Sequence, residues 1–367
     1  MSFDLSSDLQ QRQQANLFRT TQVVHSPQGP HLQVDGQSYL AFCSNDYLGL
    51  ANHPQIIEAF KTAANQFGVG SGAAHLVNGH FALHEQLESE LAQWTGRESA
   101  LLFSTGYMAN LGVIGSLLNK EDAVFEDKWN HASLLDGGLL SGARFQRYLH
   151  KDISNLEVKL KKSEARRKLI VTDGVFSMDG DKAELNHLVS VAKEHDAWVM
   201  VDDAHGMAAI GKTGAGLCEE QAVTQDQVQI LMGTLGKGFG TAGAFVAGSK
   251  ELIEYLTNFA RPYIYTTAMP PAISAATLAS LHIIKSEPER RDHLNKLIAH
   301  FRNEAQSMDL TLMDSDTAIQ PILVGDADKA VPMSHALKKQ GLMVTAIRPP
   351  TVPSGTARLR VNLSATH

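Results

Sequence analysis

Residues 228–243 read VQILMGTLGKGFGTAG, an apolar run followed by one lysine set among glycines. A solvated lysine needs no such setting, because its long stem reaches water from almost any surface position. Glycine on both sides lets the backbone turn freely and lets another group approach closely. Three readings of Lys237 follow. A P-loop requires G-x-x-x-x-G-K-[ST], but Gly238 follows the lysine and Leu231 stands where the first glycine belongs. A dinucleotide fingerprint, imitated by Gly236, Gly238 and Gly240, must open a helix, whereas the next residues, TAGAFVAGS, read as another strand. The third reading is a lysine that forms a Schiff base with a carbonyl cofactor, which requires an amine partly withdrawn from water.

Outward from this stretch, short apolar runs alternate with helical segments. ALLF (100–103), AVFE (123–126), KLIVTD (168–173), AWVMVD (197–202) and VQILMG (228–233) read as strands. Such alternation predicts an α/β fold with a mainly parallel sheet covered on both faces, binding ligands beyond the carboxyl ends of its strands. Those ends carry STGYMAN with Gly106, DKWNHAS with His131, DGVFSMDGD, DDAHG with Asp202 and His205, and TLGKGFG. Five consecutive polar or glycine-rich ends mark a site. After about residue 285, AIQPILV, a helix from about Val331 to Gln340, LMVTAI and ARLRVNLSA predict a small α+β domain that the N-terminus helps to build. The expected division is 1–44, 45–284 and 285–367, with a cleft between the larger and smaller domains.

With 43% hydrophobic residues in 367, the chain can bury a large core. A formal charge of −7 argues against nucleic acid or an anionic membrane as the main partner. The one basic run, KLKKSEARRK (Lys159–Lys168), reads as a solvated helix face. Two distant cysteines, Cys43 and Cys218, support neither a disulfide framework nor a zinc site, and no metal is expected. The polar N-terminus lacks an apolar signal core and no window approaches a membrane span, so a cytoplasmic protein is expected.

If the carbonyl cofactor is pyridoxal 5′-phosphate, its pyridine nitrogen needs a carboxylate that keeps it protonated. Asp202 offers one; read alone, it serves equally as a cap of the following turn. His205 lies three residues on, within reach of the ring hydroxyl. His131 is either a stacking partner for the ring or an ordinary structural histidine. Ser104–Tyr107 and Thr234 offer hydroxyls and N–H groups to a phosphate. Asn45 and Arg360 are suited to gripping a carboxylate, although each, read alone, fits a structural role better.

These motifs together resemble the α-oxoamine synthases. The match runs nearly end to end in one order: SNDYLGLANHP, GVGSGAAHLVNGH, STGYMANLGV, NHASLLDG, VTDGVFSMDGD, VDDAHG, GTLGKGFG and TARLRVNLSATH. The resemblance implies a fold type I, aspartate-aminotransferase-like transferase with a seven-stranded, mainly parallel sheet and a small C-terminal α+β domain. It implies that Lys237 carries pyridoxal phosphate, Asp202 pairs with the pyridine nitrogen, His205 reaches the ring oxygen and His131 stacks over the ring. Gly106, Tyr107 and Thr234 would hold the phosphate, and Ser177 would help to position the cofactor. Thr266 or Thr267 would reach in from the second subunit of a homodimer. Arg19, Asn45 and Arg360 would meet substrate carboxylates. GSGAAHLVNGH, RPYIYTTAMPPA and VTAIRPPTVPSGTARLR most resemble the member that condenses L-alanine with a pimeloyl thioester, on coenzyme A or a carrier protein. Two departures stand out: Asp173 occupies a position where glutamate is expected, and relatives continue beyond His367 with a further short helix.

Overall fold

The computed structural model describes residues 3–14 and 17–367. Near the N-terminus, β1 (His31–Val34) and β2 (Gln37–Ala41) form an antiparallel pair. The central sheet is built from β3 (Ser99–Phe103), β4 (Ala123–Asp127), β5 (Arg144–Tyr148), β6 (Lys168–Asp173), β7 (Trp198–Asp202), β8 (Ile230–Thr234) and β9 (Ala244–Gly248). In space their order is β3-β9-β8-β7-β6-β4-β5. All pairings are parallel except those of β9, which runs against both β3 and β8. This is the fold type I arrangement that the motif series implies.

Alternation along the strands sends apolar side chains to both faces. Leu101, Val124, Leu169, Val171, Met200, Ile230 and Val246 enter one core cluster. Leu102, Phe125, Ile170, Val199, Val201, Leu231 and Phe245 enter the other. A sheet buried on both faces needs near-continuous apolar strands, and this is what made those runs legible. The exception is β5, RFQRY, which the sequence reading missed. It lies at the sheet edge, exposes Arg144 and Arg147, and carries no apolar run.

Register places the site. Asp173 at the end of β6 stands opposite Asp202 at the end of β7, and Asp202 stands opposite Met232 on β8. β6 and β7 therefore finish level, and β8 continues past them to Thr234.

Beyond the large sheet, β10 (Ile319–Gly325), β11 (Leu342–Met343), β12 (Thr345–Ile347) and β13 (Ala357–Asn362) complete two small sheets. β13 lies between β10 and β12, and β11 pairs in parallel with β2, so the N-terminal hairpin joins the C-terminal region. The helix expected over 331–340 spans Ala327–Lys339, one turn earlier. Pro332, which reads as a first-turn residue, is accommodated inside it. The basic run 159–168 is not one helix face either. Its helix ends at Lys161, Arg166 forms a two-pronged pair with Asp122, and Lys168 opens β6 with its amine on the His195 carbonyl.

Candidate active site

At the carboxyl ends of β6, β7 and β8 lies a cavity of about 190 Å³ lined by Gly106, Tyr107, His131, Ser133, Asp173, Ser177, Asp202, Ala204, His205, Met232, Thr234 and Lys237. A larger hollow of about 380 Å³, between Leu117, Arg166, Trp198 and Tyr255, gathers none of these groups.

The glycines around Lys237 have distinct uses. A side chain on Gly238 would stand 2.6 Å from the Met207 carbonyl oxygen. Gly240 has φ +68° and packs its α-carbon against the Ala51 nitrogen, with no room for a Cβ. The loop is thus pressed between two backbones, and Lys237 is aimed inward. Burial pushes its pKa down to about 8 against the attraction of Asp202 and Asp173, so the neutral fraction of the amine near physiological pH, though a minority, is far larger than that of a free lysine. Its Nζ lies 2.7 Å from His205 Nε2, and His205 Nδ1 lies 2.6 Å from the Tyr47 hydroxyl. Burial, then the Lys237 charge, holds His205 neutral, well below the usual imidazole range.

Asp202 is held from two sides. Asn110 Nδ2 donates to its Oδ2 at 2.7 Å, and the Ala204 N–H donates to its Oδ1 at 3.0 Å, so it both faces the cavity and caps its own turn. Asn110 also donates to Ser133 Oγ at 2.8 Å, and Ser133 Oγ lies 2.8 Å from His131 Nδ1. Asp173 receives the His131 N–H at 2.7 Å, while its own N–H goes to Asn130 Oδ1. Burial, then repulsion from Asp202, raises the Asp173 pKa well above the carboxylate range. The short side chain of Asp173 therefore fixes the turn on which His131 stands. Gly106 opens the helix Gly106–Leu117 behind the Thr105 cap, and a Cβ there would meet Met232 Cε at 3.0 Å. The Tyr107 hydroxyl donates to Asp136.

Of the residues named from the sequence, Gly106, Tyr107, His131, Ser177, Asp202, His205, Thr234 and Lys237 meet in this cavity. Arg360 stands at its edge, with Nε donating to the Ser177 carbonyl at 2.7 Å and Nη2 3.4 Å from Asn45 Oδ1. Thr266 and Thr267 are not among the lining residues; Thr267 instead bridges Ala74. Arg19 lines a separate exposed hollow with Arg348 and Pro350. Sequence reading missed Asn110, Ser133, Tyr47 and Asn130. A signal existed for Asn110: a buried amide in an otherwise apolar helix, ANLGVIGSLL, calls for a partner.

A phosphate-bearing pyridine suits this donor set. The N-terminus of a 12-residue helix and the Thr234 hydroxyl favour an anion, Asp202 favours a protonated ring nitrogen, and a lysine with a depressed pKa faces the same space.

The model of class I and II aminotransferases matches residues 37–367. The 8-amino-7-oxononanoate synthase of Cellvibrio japonicus is 60% identical over 99% of this chain and 91% of that protein. The chain belongs to the 8-amino-7-oxononanoate synthase family. Among solved structures, the 8-amino-7-oxononanoate synthase of Francisella tularensis superposes with a TM-score of 0.79 at 31% identity, covering 90% of this chain and 93% of that one. A serine palmitoyltransferase variant from S. paucimobilis, solved with PLP bound, superposes with a TM-score of 0.92 at 32% identity, over 99% and 92% of the two chains. The cofactor of this family is pyridoxal 5′-phosphate.

Proposed function

We propose that the chain condenses L-alanine with a pimeloyl thioester to give 8-amino-7-oxononanoate, the free thiol and carbon dioxide. The observation that carries this reading is Lys237, a buried amine with a pKa near 8 facing Asp202 across a small cavity, in a chain 60% identical to a synthase of that name. Bound here, pyridoxal phosphate supplies an electron sink for a carbon that loses first a proton and later a carboxyl group.

The residues do the rest. Lys237 Nζ, neutral and desolvated, takes the proton from the α-carbon of alanine and returns one at the end. Asp202, fixed by Asn110 and the Ala204 N–H, keeps its charge where a protonated pyridine nitrogen needs it. His205, backed by Tyr47, presents Nε2 beside Lys237 as a hydrogen-bond partner for the ring oxygen. His131, held by Asp173 and Ser133, offers a flat face for the ring. Gly106, Tyr107 and Thr234 receive the phosphate. Arg360 and Asn45 form a carboxylate-binding corner above Ser177. In the net reaction a C–C bond forms at the thioester carbonyl, the C–S bond breaks, and the alanine carboxyl leaves as carbon dioxide.

The homodimer belongs to the same proposal. Val69, Leu76, Val77 and Tyr265 are 87%, 52%, 77% and 71% exposed around the bridge between Ala74 and Thr267, an apolar surface suited to a second copy. That copy would bring Thr266 or Thr267 to the phosphate, and Arg19 would join when the N-terminal segment closes over substrate. Assignment of the N-terminal segment to the smaller domain is supported by the pairing of β2 with β11, whereas the helix Pro271–Ser286 runs through the expected boundary at 284; no described helix is long and apolar enough to cross a membrane.

Purified protein given L-alanine and pimeloyl-CoA should release thiol and carbon dioxide and form a product of the expected mass, with glycine a poorer substrate. Turnover of glycine in preference to alanine would overturn the substrate assignment. Borohydride reduction followed by peptide mapping should place the cofactor on Lys237.

A further inference from the structure

His150 follows β5 and takes no part in the chemistry above, yet both of its ring nitrogens are engaged. Nδ1 lies 3.0 Å from Asp127 Oδ1, and Nε2 lies 3.0 Å from Asp181 Oδ2. An ionised carboxylate only accepts, and a neutral imidazole has one N–H. Serving both carboxylates therefore requires the imidazolium. Trp129 stacks on the ring with centroids 3.9 Å apart and planes at 20°, and Phe176 meets it edge-on at 4.4 Å.

The two carboxylates belong to two loops of the cavity wall. Asp127 ends β4; its Oδ1 also accepts the Trp129 N–H and its Oδ2 the Lys151 N–H, each at 2.8 Å, which starts the turn that finishes at His131. Asp181 closes the loop after β6, where its carbonyl accepts the Phe176 N–H at 3.0 Å and Val175 bridges Lys182. That loop carries Ser177, whose carbonyl holds Arg360.

We propose that His150 is a positioning residue that, as an imidazolium, clamps the turn carrying His131 to the loop carrying Ser177 and so keeps two walls of the cofactor cavity in register. The proposal rests on the cofactor reading of this cavity but not on the choice of substrate. Burial pulls the His150 pKa down, but its bonds to Asp127 and Asp181 outweigh burial and leave it above the ordinary imidazole value. The charged groups facing it are Asp127 from β4, Asp181 from the β6 loop, and Lys151 beside it, whose Nζ lies 3.2 Å from Asp181 Oδ2. Trp129 and Phe176 supply the apolar contacts. With His150 charged, two cations match two carboxylates; without its proton, one carboxylate is left uncompensated. Because the folded-state pKa is raised, the clamp is complete below the ordinary imidazole pKa and is lost as pH rises through the raised value.

Trp129 reports on the clamp. The chain has 3 tryptophans, so the W94F/W198F protein leaves Trp129 as the sole emitter. An imidazolium stacked on indole draws on its π electrons and quenches emission more than neutral imidazole does. In the PLP-loaded protein, emission should rise as pH is raised from below to well above the ordinary imidazole value, with its midpoint above that value. Over the same window PLP should dissociate into an excess of trap about tenfold faster, the effect of losing a supporting rather than a contacting group. In the same background Asp181→Asn should move the midpoint down, and His150→Gln should abolish the titration and fix the fast PLP release at every pH. Flat emission in the parent, a titration that survives His150→Gln, or PLP release unchanged in Asp181→Asn would overturn the clamp. Should His150→Gln not fold, the Asp181→Asn midpoint and release rate decide alone. Failure of alanine turnover would overturn the substrate reading and leave both readouts standing.

Discussion

Lys237 and Asn110 show how single side chains divide the work of the site. Lys237→Ala removes an amine and no packed core, so the fold should persist while turnover is lost; activity retained in that variant would contradict the assigned base. Burial depresses the folded-state pKa of Lys237 to about 8, below that of a free lysine. Below about pH 8 the folded protein therefore carries a buried charge, and that cost fades as pH rises towards the unfolded value. For the same reason, reductive labelling of Lys237 in cofactor-free protein should fall about tenfold for each pH unit below about 8, the slope of a single titrating amine. A labelling profile centred near that of surface lysines would show that the amine is solvated. Asn110→Ala leaves Asp202 Oδ2 without its donor and should lower stability by about 1–3 kcal/mol, the cost of a buried polar group left unsatisfied. It should also weaken PLP binding, and denaturant unfolding with and without cofactor separates the two effects. The eight residues that meet in the cavity were readable because each lies at a strand end or in the polar or glycine-rich stretch that follows one. Asn110 and Ser133 were harder to read because they act through Asp202 and His131, and no local pattern names their partners.

At the level of elements, the site depends on how closely two helices approach. Gly137 in the helix Ala132–Leu140 faces the helix Gly106–Leu117, where an added Cβ would stand 2.9 Å from Ile114 Cδ1 and 3.2 Å from the Asn110 carbonyl oxygen. Gly137→Ala should separate the helices and cost about 1–3 kcal/mol of stability through overpacking. Because Ser133 and His131 ride at the start of the displaced helix, PLP affinity should fall with it. A variant as stable as the parent, with unchanged affinity, would show that the interface can absorb a methyl group. Neither this contact nor β5 was visible in the sequence. Close helix approach is a property of two distant segments, and β5 is held at the sheet edge by pairing with β4, with Tyr148 buried but Arg144 and Arg147 exposed, so no apolar run marks it. The early start of the Ala327–Lys339 helix has a related cause: local rules place proline in a first turn, whereas packing against β10, β12 and β13 sustains an interior one.

At the scale of the whole molecule, the cavity of one chain gathers a lysine, an aspartate and a helix N-terminus, while Thr266 and Thr267 stand outside it on a surface that exposes Val69, Leu76, Val77 and Tyr265. If a second copy covers that surface, Val77→Glu should shift sedimentation from dimer to monomer and weaken PLP binding, although Val77 does not line the cavity. A stronger test separates contribution within a chain from contribution across the interface. Lys237→Ala and a Thr266→Val/Thr267→Val protein should each be impaired alone. In a hybrid dimer, threonines that reach across place both lesions in one site and leave the other intact, so mixing the two proteins should restore turnover. If the threonines serve their own chain, every hybrid site carries one lesion and mixing restores nothing. Recovery scaling with the fraction of hybrid, measured after subunit exchange, would establish the shared site; its absence despite demonstrated exchange would confine the site to one chain.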